Sequence, residues 1–180
     1  MKQGFVKVAS ATPRIRVADP VYNAQVICEQ AKEAAEHGAK IVVFPELCIT
    51  GYTCNDLFLQ ELLLEKAKEA LLTIAEETGQ LETLFLVGLP VDKDGRLYNV
   101  AAVLYRGRIL GMIPKKNIPM YAEFYEGRHF TPGEETVTEY RLGKQVIPFG
   151  SNLLFRCEEL PELILGCELC EDLWVAEPPS

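Results

Sequence analysis

The sequence predicts an α/β fold whose β-sheet is mixed. Short apolar runs recur along the chain, and runs of this length and composition are typical of buried strands. In the first part of the chain these runs alternate with amphipathic helical patterns, which favours parallel pairing. In the later part only tight turns separate them, which favours antiparallel hairpins. The two patterns together predict one sheet that contains both parallel and antiparallel strand pairs.

The first half of the chain is expected to follow the order strand, helix, strand, helix. The first strand is predicted at residues 5–10, and a helix begins at Asp19-Pro20, where Asp is a good N-cap and Pro a good first residue. Gly38 is a suitable stop for that helix. The second strand is predicted at residues 40–44 and the second helix from Leu57 to about Thr78.

The second half is expected to consist of strands and one long loop. Residues 115–135 are polar and aromatic without a clear period, and loops of that length in compact domains are usually functional. The strands are predicted at residues 83–88, 98–105, 108–113, 146–156 and 163–169. We expect one domain over residues 1–180, incomplete at its C-terminus because the last strand has little sequence after it to cover it.

Charge and composition exclude several classes of partner. The net charge of -8 argues against binding nucleic acid or an anionic membrane, because both are polyanions. The start of the sequence lacks the features of a signal peptide, and no apolar run is long enough to span a bilayer. We therefore expect a cytoplasmic protein whose six cysteines are reduced thiols.

Cys167 and Cys170 form a C-x-x-C pattern, which can indicate a metal site or redox chemistry. A second such pair is missing, and in a strand these two side chains would point to opposite faces. A zinc-binding module therefore stays open only as a minor alternative, and we predict no metal. The other cysteines, Cys28, Cys48, Cys54 and Cys157, are assigned with Cys167 to the core.

Three reactive side chains follow apolar runs and are the strongest functional signal. Glu46 follows the run 40–45, Lys115 follows the run 109–114, and Cys170 follows the run 163–169. Residues just past strand ends line the crevice where α/β proteins bind ligands. Taken singly, each has a plain structural explanation as a surface carboxylate, a loop cation or a buried thiol.

Taken together, the three residues indicate thiol-based acyl transfer that does not use histidine. Glu46 would be the base, Cys170 the nucleophile and Lys115 the electrostatic stabiliser. If a helix starts at Cys170, its N-terminus would also stabilise the thiolate.

At these residues the sequence resembles the nitrilase (carbon–nitrogen hydrolase) superfamily. Within it, three segments resemble the N-terminal glutaminase domain of glutamine-dependent NAD synthetases: residues 44–52, residues 114–128, and the Cys-Glu-Asp-Leu-Trp segment 170–174. The resemblance covers essentially the whole chain. It implies a four-layer αββα sandwich with mixed sheets and a Glu-Lys-Cys triad made of Glu46, Lys115 and Cys170.

The resemblance also implies further roles and partners. Glu123 would orient the lysine and the substrate, and Tyr121 and Glu171 would contact the substrate. That substrate would be L-glutamine, hydrolysed through a γ-glutamyl thioester to supply ammonia to a C-terminal synthetase domain absent from this chain. No cofactor is expected for the glutaminase domain, whereas ATP and magnesium would serve the synthetase domain, and self-association into a homo-oligomer is expected.

Two other functions stay open at this stage. The chain could belong to a stand-alone amidase or carbamoylase of the same superfamily, acting on another amide. It could also be a catalytically silent scaffold that retains the sandwich for oligomerisation. The presence of all three triad residue types counts against the second of these.

Overall fold

The computed structural model describes residues 4–179, so residues 1–3 and 180, which include part of the start and end considered above, lie outside it. Seven strands form one mixed sheet in the order β1-β2-β3-β4-β5-β7-β6, and two short strands form a second sheet. The strands are β1 (Val8–Ser10), β2 (Ile41–Val43), β3 (Leu84–Lys93), β4 (Arg96–Tyr105), β5 (Arg108–Pro114), β6 (Thr138–Leu142), β7 (Gln145–Phe149), β8 (Phe155–Arg156) and β9 (Ile164–Leu165).

Strand directions within the large sheet confirm the predicted mixture. Strands β1, β2 and β3 pair in parallel, as their connections through helices require. Strands β3, β4 and β5 form antiparallel hairpins, and β5 then pairs in parallel with β7. It follows that β2 and β5 run in the same direction, so their C-terminal ends reach the same edge of the sheet.

Helix α1 (Pro20–Glu36) has the ends that the sequence predicts. The Asp19 side chain accepts a hydrogen bond from the Tyr22 N–H at 3.1 Å, which satisfies one of the free donors of the first turn. The chain leaves the helix through Gly38 at φ +83, a conformation that glycine adopts without strain.

Helix α2 (Glu61–Glu77) begins four residues later than predicted. The residues before it, Tyr52–Leu59, form a 3₁₀ segment, and Gln60 is extended at φ -88 and ψ 120. The apolar spacing of this stretch continues across the boundary, so periodicity alone could not locate the break.

Both helices cover one face of the sheet with an apolar stripe. The stripes follow helical spacing, as expected for helices that pack on a core. On α1 the stripe includes Ala24, Ile27 and Ala31, and on α2 it includes Ala67, Leu71 and Ile74. They pack against fully buried strand residues that include Val87, Leu89, Val100, Ala102 and Met112. None of the described helices combines the length and hydropathy needed to cross a bilayer.

The opposite face of the sheet packs against the C-terminal part of the chain. Ala101, Val103 and Ile113 form a small buried cluster with Leu169 on this face. Phe155, at the start of β8, packs over it close to Gly111. The described residues therefore supply a helical layer, the large sheet, and a short two-stranded sheet on its other side. The α/β class with a mixed sheet is confirmed.

Several predicted strands are shorter than expected. The first strand begins at Val8, and the run 146–156 ends as a strand at Phe149, after which the chain turns at Gly150 and resumes as the two-residue β8. The run 163–169 contains only the two-residue β9, so Cys170 does not end a buried strand. Strand β6 was not predicted, because its mixture of polar and apolar residues does not form an apolar run.

Gly88 on β3 lets the chain after β2 turn directly above the sheet. A Cβ atom at Gly88 would lie 2.4 Å from Leu47 N and 2.7 Å from the Pro45 carbonyl oxygen. These are main-chain atoms that cannot move alone, so only glycine fits there. The close approach fixes the turn that carries Glu46.

We expect Gly88→Ala to displace this turn and to destabilise the fold by about 1–3 kcal/mol, the usual range for overpacking. Urea unfolding measures the loss. Gly166→Ala is the matched control, because a Cβ there would make only an ordinary 3.5 Å contact with Leu154. Equal stability of the two variants would contradict this account of Gly88.

Candidate active site

The predicted site residues from β2 and β5 meet at the edge of the sheet where both strands end. Glu46 lies in the turn after β2, and Lys115 directly follows β5. Lys115 Nζ donates to Glu46 Oε1 at 2.8 Å. The common direction of the two strands brings a carboxylate and an ammonium group together that are 69 residues apart in the sequence.

A second carboxylate, Glu126, binds the same ammonium group. Lys115 Nζ donates to Glu126 Oε1 at 2.7 Å and to Glu126 Oε2 at 2.9 Å. Lys115 is fully buried, and the side chains of Glu126 and Glu46 are 4% and 19% exposed. With both carboxylates ionised, this buried ion cluster carries one net negative charge, because two acids share one cation.

The cluster keeps Lys115 protonated. Burial by itself would lower the pKa of Lys115, because it disfavours the charged form. The hydrogen bonds to Glu126 and Glu46, with their negative charges, outweigh this effect and raise the pKa above its ordinary value. Lys115 is therefore a permanent positive charge at neutral pH.

Glu126 is held by the segment that precedes α2. The Tyr52 hydroxyl donates to Glu126 Oε1 at 2.9 Å. Burial, followed by this hydrogen bond to a carboxylate, raises the pKa of Tyr52 well above its usual range, so the phenol stays a donor. Arg128 binds both oxygens of Asp56, at 2.8 and 2.9 Å, and so joins the Glu126 segment to the Tyr52 segment.

Cys170 lies close enough to these charges to be affected by all of them. Burial raises the pKa of its thiol most, Lys115 lowers it, and Glu46 and Glu126 raise it again. A hydrogen bond from the Glu171 backbone lowers it slightly, and the net pKa is above the ordinary value. The thiol of Cys170 is therefore neutral at neutral pH, and any reaction through its thiolate would need a base.

The local structure at Cys170 differs from the sequence expectation. The residue begins a 3₁₀ helix of four residues, Cys170–Leu173, at φ +48, and its side chain is exposed. The helix expected at Cys170 is a single short turn that supplies little dipole, and although the Glu171 backbone lowers the thiol pKa, burial outweighs this effect. A positive φ is uncommon for a residue other than glycine, and such conformations cluster at functional sites.

Asp172 fastens the Cys170 turn to the end of β5. Its buried carboxylate accepts from the N–H groups of Lys116 at 3.2 Å and Asn117 at 2.7 Å, and from Asn117 Nδ2 at 3.0 Å. It also accepts from the Leu169 N–H at 3.2 Å. Asp172, which lies in the Cys170 turn, thus links Leu169 at the start of that turn to Lys116 and Asn117, the residues directly after Lys115.

Glu123, which was expected to orient Lys115, does not occupy that position. Its side chain is exposed, and the ammonium group of Lys115 binds Glu126 instead. The chain turns outward through Ala122 at φ +51 and returns in the 3₁₀ turn Glu126–Arg128, so only Glu126 points inward. The spacing of the glutamates in the sequence does not reveal this bend, so it could not predict which of them reaches Lys115.

Tyr121 and Glu171, the expected substrate contacts, lie together beside Cys170. The Tyr121 hydroxyl donates to Glu171 Oε2 at 2.7 Å, and both groups are accessible to solvent. This hydrogen bond is the main reason that the pKa of Tyr121 is raised. The two residues form a polar rim next to the exposed thiol.

The remaining cysteines are mostly unreactive. Cys28, Cys48 and Cys54 are buried as expected, whereas Cys157 and Cys167 are only partly covered. Burial raises the pKa of Cys48 and of Cys167 to about 12. Within residues 4–179 there is no group of three or more His, Cys, Asp or Glu side chains arranged to hold a metal ion.

Sequence reasoning missed four residues that shape the site: Glu126, Asn99, Tyr52 and Asp172. Asn99 lies on β4, opposite the end of β5, and its Nδ2 donates to Glu46 Oε1 at 2.7 Å. A polar residue inside the otherwise apolar run 97–104 was the available signal for Asn99. Glu126 and Tyr52 lie in segments without a period, so no comparable signal pointed to them.

Comparison with known proteins identifies the family. The carbon-nitrogen hydrolase family model matches residues 7–179, so the chain belongs to the carbon–nitrogen hydrolase family. It is 40% identical over 179 residues to the glutamine-dependent NAD(+) synthetase of Mycobacterium tuberculosis, covering 99% of this chain and 26% of that protein. It is 32% identical over 180 residues to the enzyme of the same name from Thermotoga maritima, covering 27% of it. The chain thus spans about a quarter of the length of these relatives.

Solved structures give the same result for the fold. A glutamine-dependent NAD(+) synthetase from Cytophaga hutchinsonii superposes with a TM-score of 0.80 at 28% identity, over 86% of this chain and 26% of that one. An amidase from Nesterenkonia sp. superposes with a TM-score of 0.60 at 24% identity, over 79% of this chain and 54% of that one. The second likeness shows only that the fold is shared.

We expect Asp172→Asn to loosen the Cys170 turn, because one oxygen that accepts N–H bonds becomes an NH₂ group facing other donors. The free energy of unfolding should fall by about 1–3 kcal/mol, the range for leaving buried polar groups unsatisfied. Urea unfolding measures this, and turnover should fall as well. Asp94→Asn, at an exposed turn, is the control and should match the wild type. If Asp172→Asn kept the stability and turnover of the wild type, the hydrogen bonds of Asp172 would not be needed to hold the Cys170 turn.

Proposed function

We propose that this chain is the glutamine-hydrolysing part of an NAD synthetase, releasing ammonia that an ATP-dependent synthetase domain uses to amidate deamido-NAD. The observation that carries the proposal is the buried Lys115 bound by two carboxylates beside an accessible thiol, Cys170. The substrate and the downstream reaction are supported by the similarity to glutamine-dependent NAD synthetases along 99% of the chain.

The first chemical step requires a base near a neutral thiol. Glu46 is the more exposed of the two carboxylates, and it accepts fewer hydrogen bonds than Glu126. We assign it to take the proton from Cys170 Sγ. The thiolate then attacks the side-chain amide carbon of glutamine, forming a C–S bond and a tetrahedral intermediate with a negative oxygen.

The negative oxygen needs stabilisation as it forms. In the resting site the N–H groups of Lys115 are all directed at carboxylates. Once Glu46 holds the thiol proton it is neutral, so its bond to Lys115 weakens and one N–H can turn toward the oxyanion. The backbone N–H of Glu171 is the second donor. Removing one donor of this kind typically costs about 10²–10³ in rate.

The remaining steps return the site to its starting state. Glu46 passes its proton to the leaving nitrogen, the C–N bond breaks, and ammonia departs from a γ-glutamyl thioester. A water molecule then gives a proton to Glu46 while its oxygen attacks the thioester carbon. Glutamate leaves, and the Cys170 thiol is restored when Glu46 returns the proton to sulfur.

The decisive experiment uses the full-length protein that carries this chain. We expect Cys170→Ala to abolish NAD formation from deamido-NAD, ATP and glutamine, yet to support it when ammonium chloride replaces glutamine. An electrophilic glutamine analogue should label Cys170 of the wild type, as peptide mapping would reveal. Labelling of Cys167 or Cys48 instead would overturn the assignment of the nucleophile.

Comparing glutamine with simple amides and carbamoylated amines tests the substrate. Ammonia released mainly from one of the other amides would favour a stand-alone amidase or carbamoylase. No release from any of them would favour a silent scaffold.

Glu46→Gln should keep the fold and lose activity. The glutamine side chain can still accept hydrogen bonds from Asn99 and Lys115, but it cannot take a proton from sulfur. We expect no acyl-enzyme on mass spectrometry and a fall in kcat of about 10²–10⁴, the usual contribution of a general base. Glu123→Gln is the matched control, because that carboxylate is exposed. A fully active Glu46→Gln variant would remove Glu46 from the role of base.

A further inference from the structure

Asn99 is in contact with every member of the buried ion cluster. Its side chain is fully buried, and its Nδ2 lies 2.7 Å from Glu46 Oε1 and 3.5 Å from Glu126 Oε2. Its main-chain carbonyl accepts from the Lys115 N–H at 2.8 Å. One residue of β4 therefore lies against both carboxylates and the backbone of the lysine.

The orientation of this amide is imposed by the carboxylates. Asn99 Oδ1 is buried and has no hydrogen-bond partner among residues 4–179. The reversed amide would direct Oδ1 at two carboxylates, where like partial charges repel. A buried apolar residue would leave no unpaired oxygen, so packing does not explain an asparagine here. The donor that Nδ2 supplies to Glu46 does explain it.

The hydrogen bonds divide the two oxygens of Glu46 into different roles. Asn99 and Lys115 both donate to Oε1, and no described residue donates to Oε2. We infer that Asn99 is a positioning residue that holds Oε1 of Glu46 and leaves Oε2 as the oxygen that takes the thiol proton. The inference rests on the proposed function, in which Glu46 is the base.

The same hydrogen bond also contributes to the electrostatic environment of the Glu46 carboxylate. The groups around Glu46 are Lys115 at the end of β5, Glu126 in the following loop, and the neutral Tyr52 and Cys170. Lys115 favours the ionised carboxylate, and the charge of Glu126 opposes it. The Asn99 donor adds to the effect of Lys115, because a hydrogen bond to the charged form stabilises it.

The sign of the expected change follows from this balance. Without the Asn99 donor, the ionised carboxylate of Glu46 keeps only the Lys115 hydrogen bond on Oε1 and is less well stabilised. We therefore expect full activity to require a higher pH, so that the acid limb of the pH–activity profile moves upward. Asn99→Asp should move it further than Asn99→Ala, because a third carboxylate adds repulsion.

The experiment measures kcat/KM for glutamine hydrolysis against pH in the full-length protein. Each unit by which the acid limb moves corresponds to about a tenfold loss of rate below the limb. We expect an upward shift in Asn99→Ala and a larger one in Asn99→Asp, with the loss falling mainly on kcat. Asn99→Ser, which lacks the amide but keeps a polar group, carries the same test if the alanine variant does not fold.

The matched control is Asn23→Ala. Asn23 is also fully buried, but its amide donates only to main-chain carbonyls, those of Arg16 at 2.7 Å and Ile49 at 2.9 Å. This variant should melt at a lower temperature without any movement of the acid limb.

Two results are decisive and can be told apart. Asn99 variants that lose stability but keep the wild-type limb would overturn the inference and leave only a structural role. Failure of the wild type to hydrolyse glutamine would instead count against the proposed substrate. If another amide is hydrolysed, the same pH comparison with that amide tests Asn99 independently.

Discussion

A single buried ammonium group organises this edge of the molecule. Lys115 is fully buried, and two carboxylates satisfy its charge at distances of 2.7 to 2.9 Å. Removing one partner from a buried ion pair commonly costs about 3–5 kcal/mol, because the other charge is left in a medium that solvates it poorly. The chain must therefore deliver Glu46 and Glu126 to Lys115 whenever it folds. With both carboxylates ionised, the cluster that results carries one more negative than positive charge.

The fold meets this constraint with rigid main-chain contacts. Strands β2 and β5 run in the same direction, so the residues that follow them arrive at one edge. Gly88 lets the turn of Glu46 lie directly on the sheet, and Asp172 binds the N–H groups after Lys115 to the turn of Cys170. Precise placement on strands and short turns is what the proposed acyl transfer requires, since small displacements of reacting groups cost large factors in rate.

Much of this architecture could be predicted from local signals. The Asp19-Pro20 start and the Gly38 stop identified α1, because capping depends on residues adjacent in sequence. The apolar runs before Glu46 and Lys115 predicted two strand ends, since burial of a strand is visible as consecutive apolar residues. Cys170 was also found, although the run before it contains only a two-residue strand. Neither hydrophobic periodicity nor capping residues indicate whether an apolar segment pairs with a neighbouring strand.

The amino-acid sequence by itself determined the α/β class, the helices and the three predicted site residues, Glu46, Lys115 and Cys170, because these depend on neighbours along the chain. Tertiary structure alone decided which acid pairs with Lys115. Glu123 and Glu126 are equivalent as residue types, and only the outward turn at Ala122 leaves the first in solvent and buries the second. The contact of Asn99 with Glu46 was decided in the same way. A buried charge takes the partner that the completed fold brings within reach, and that partner is set by distance in space.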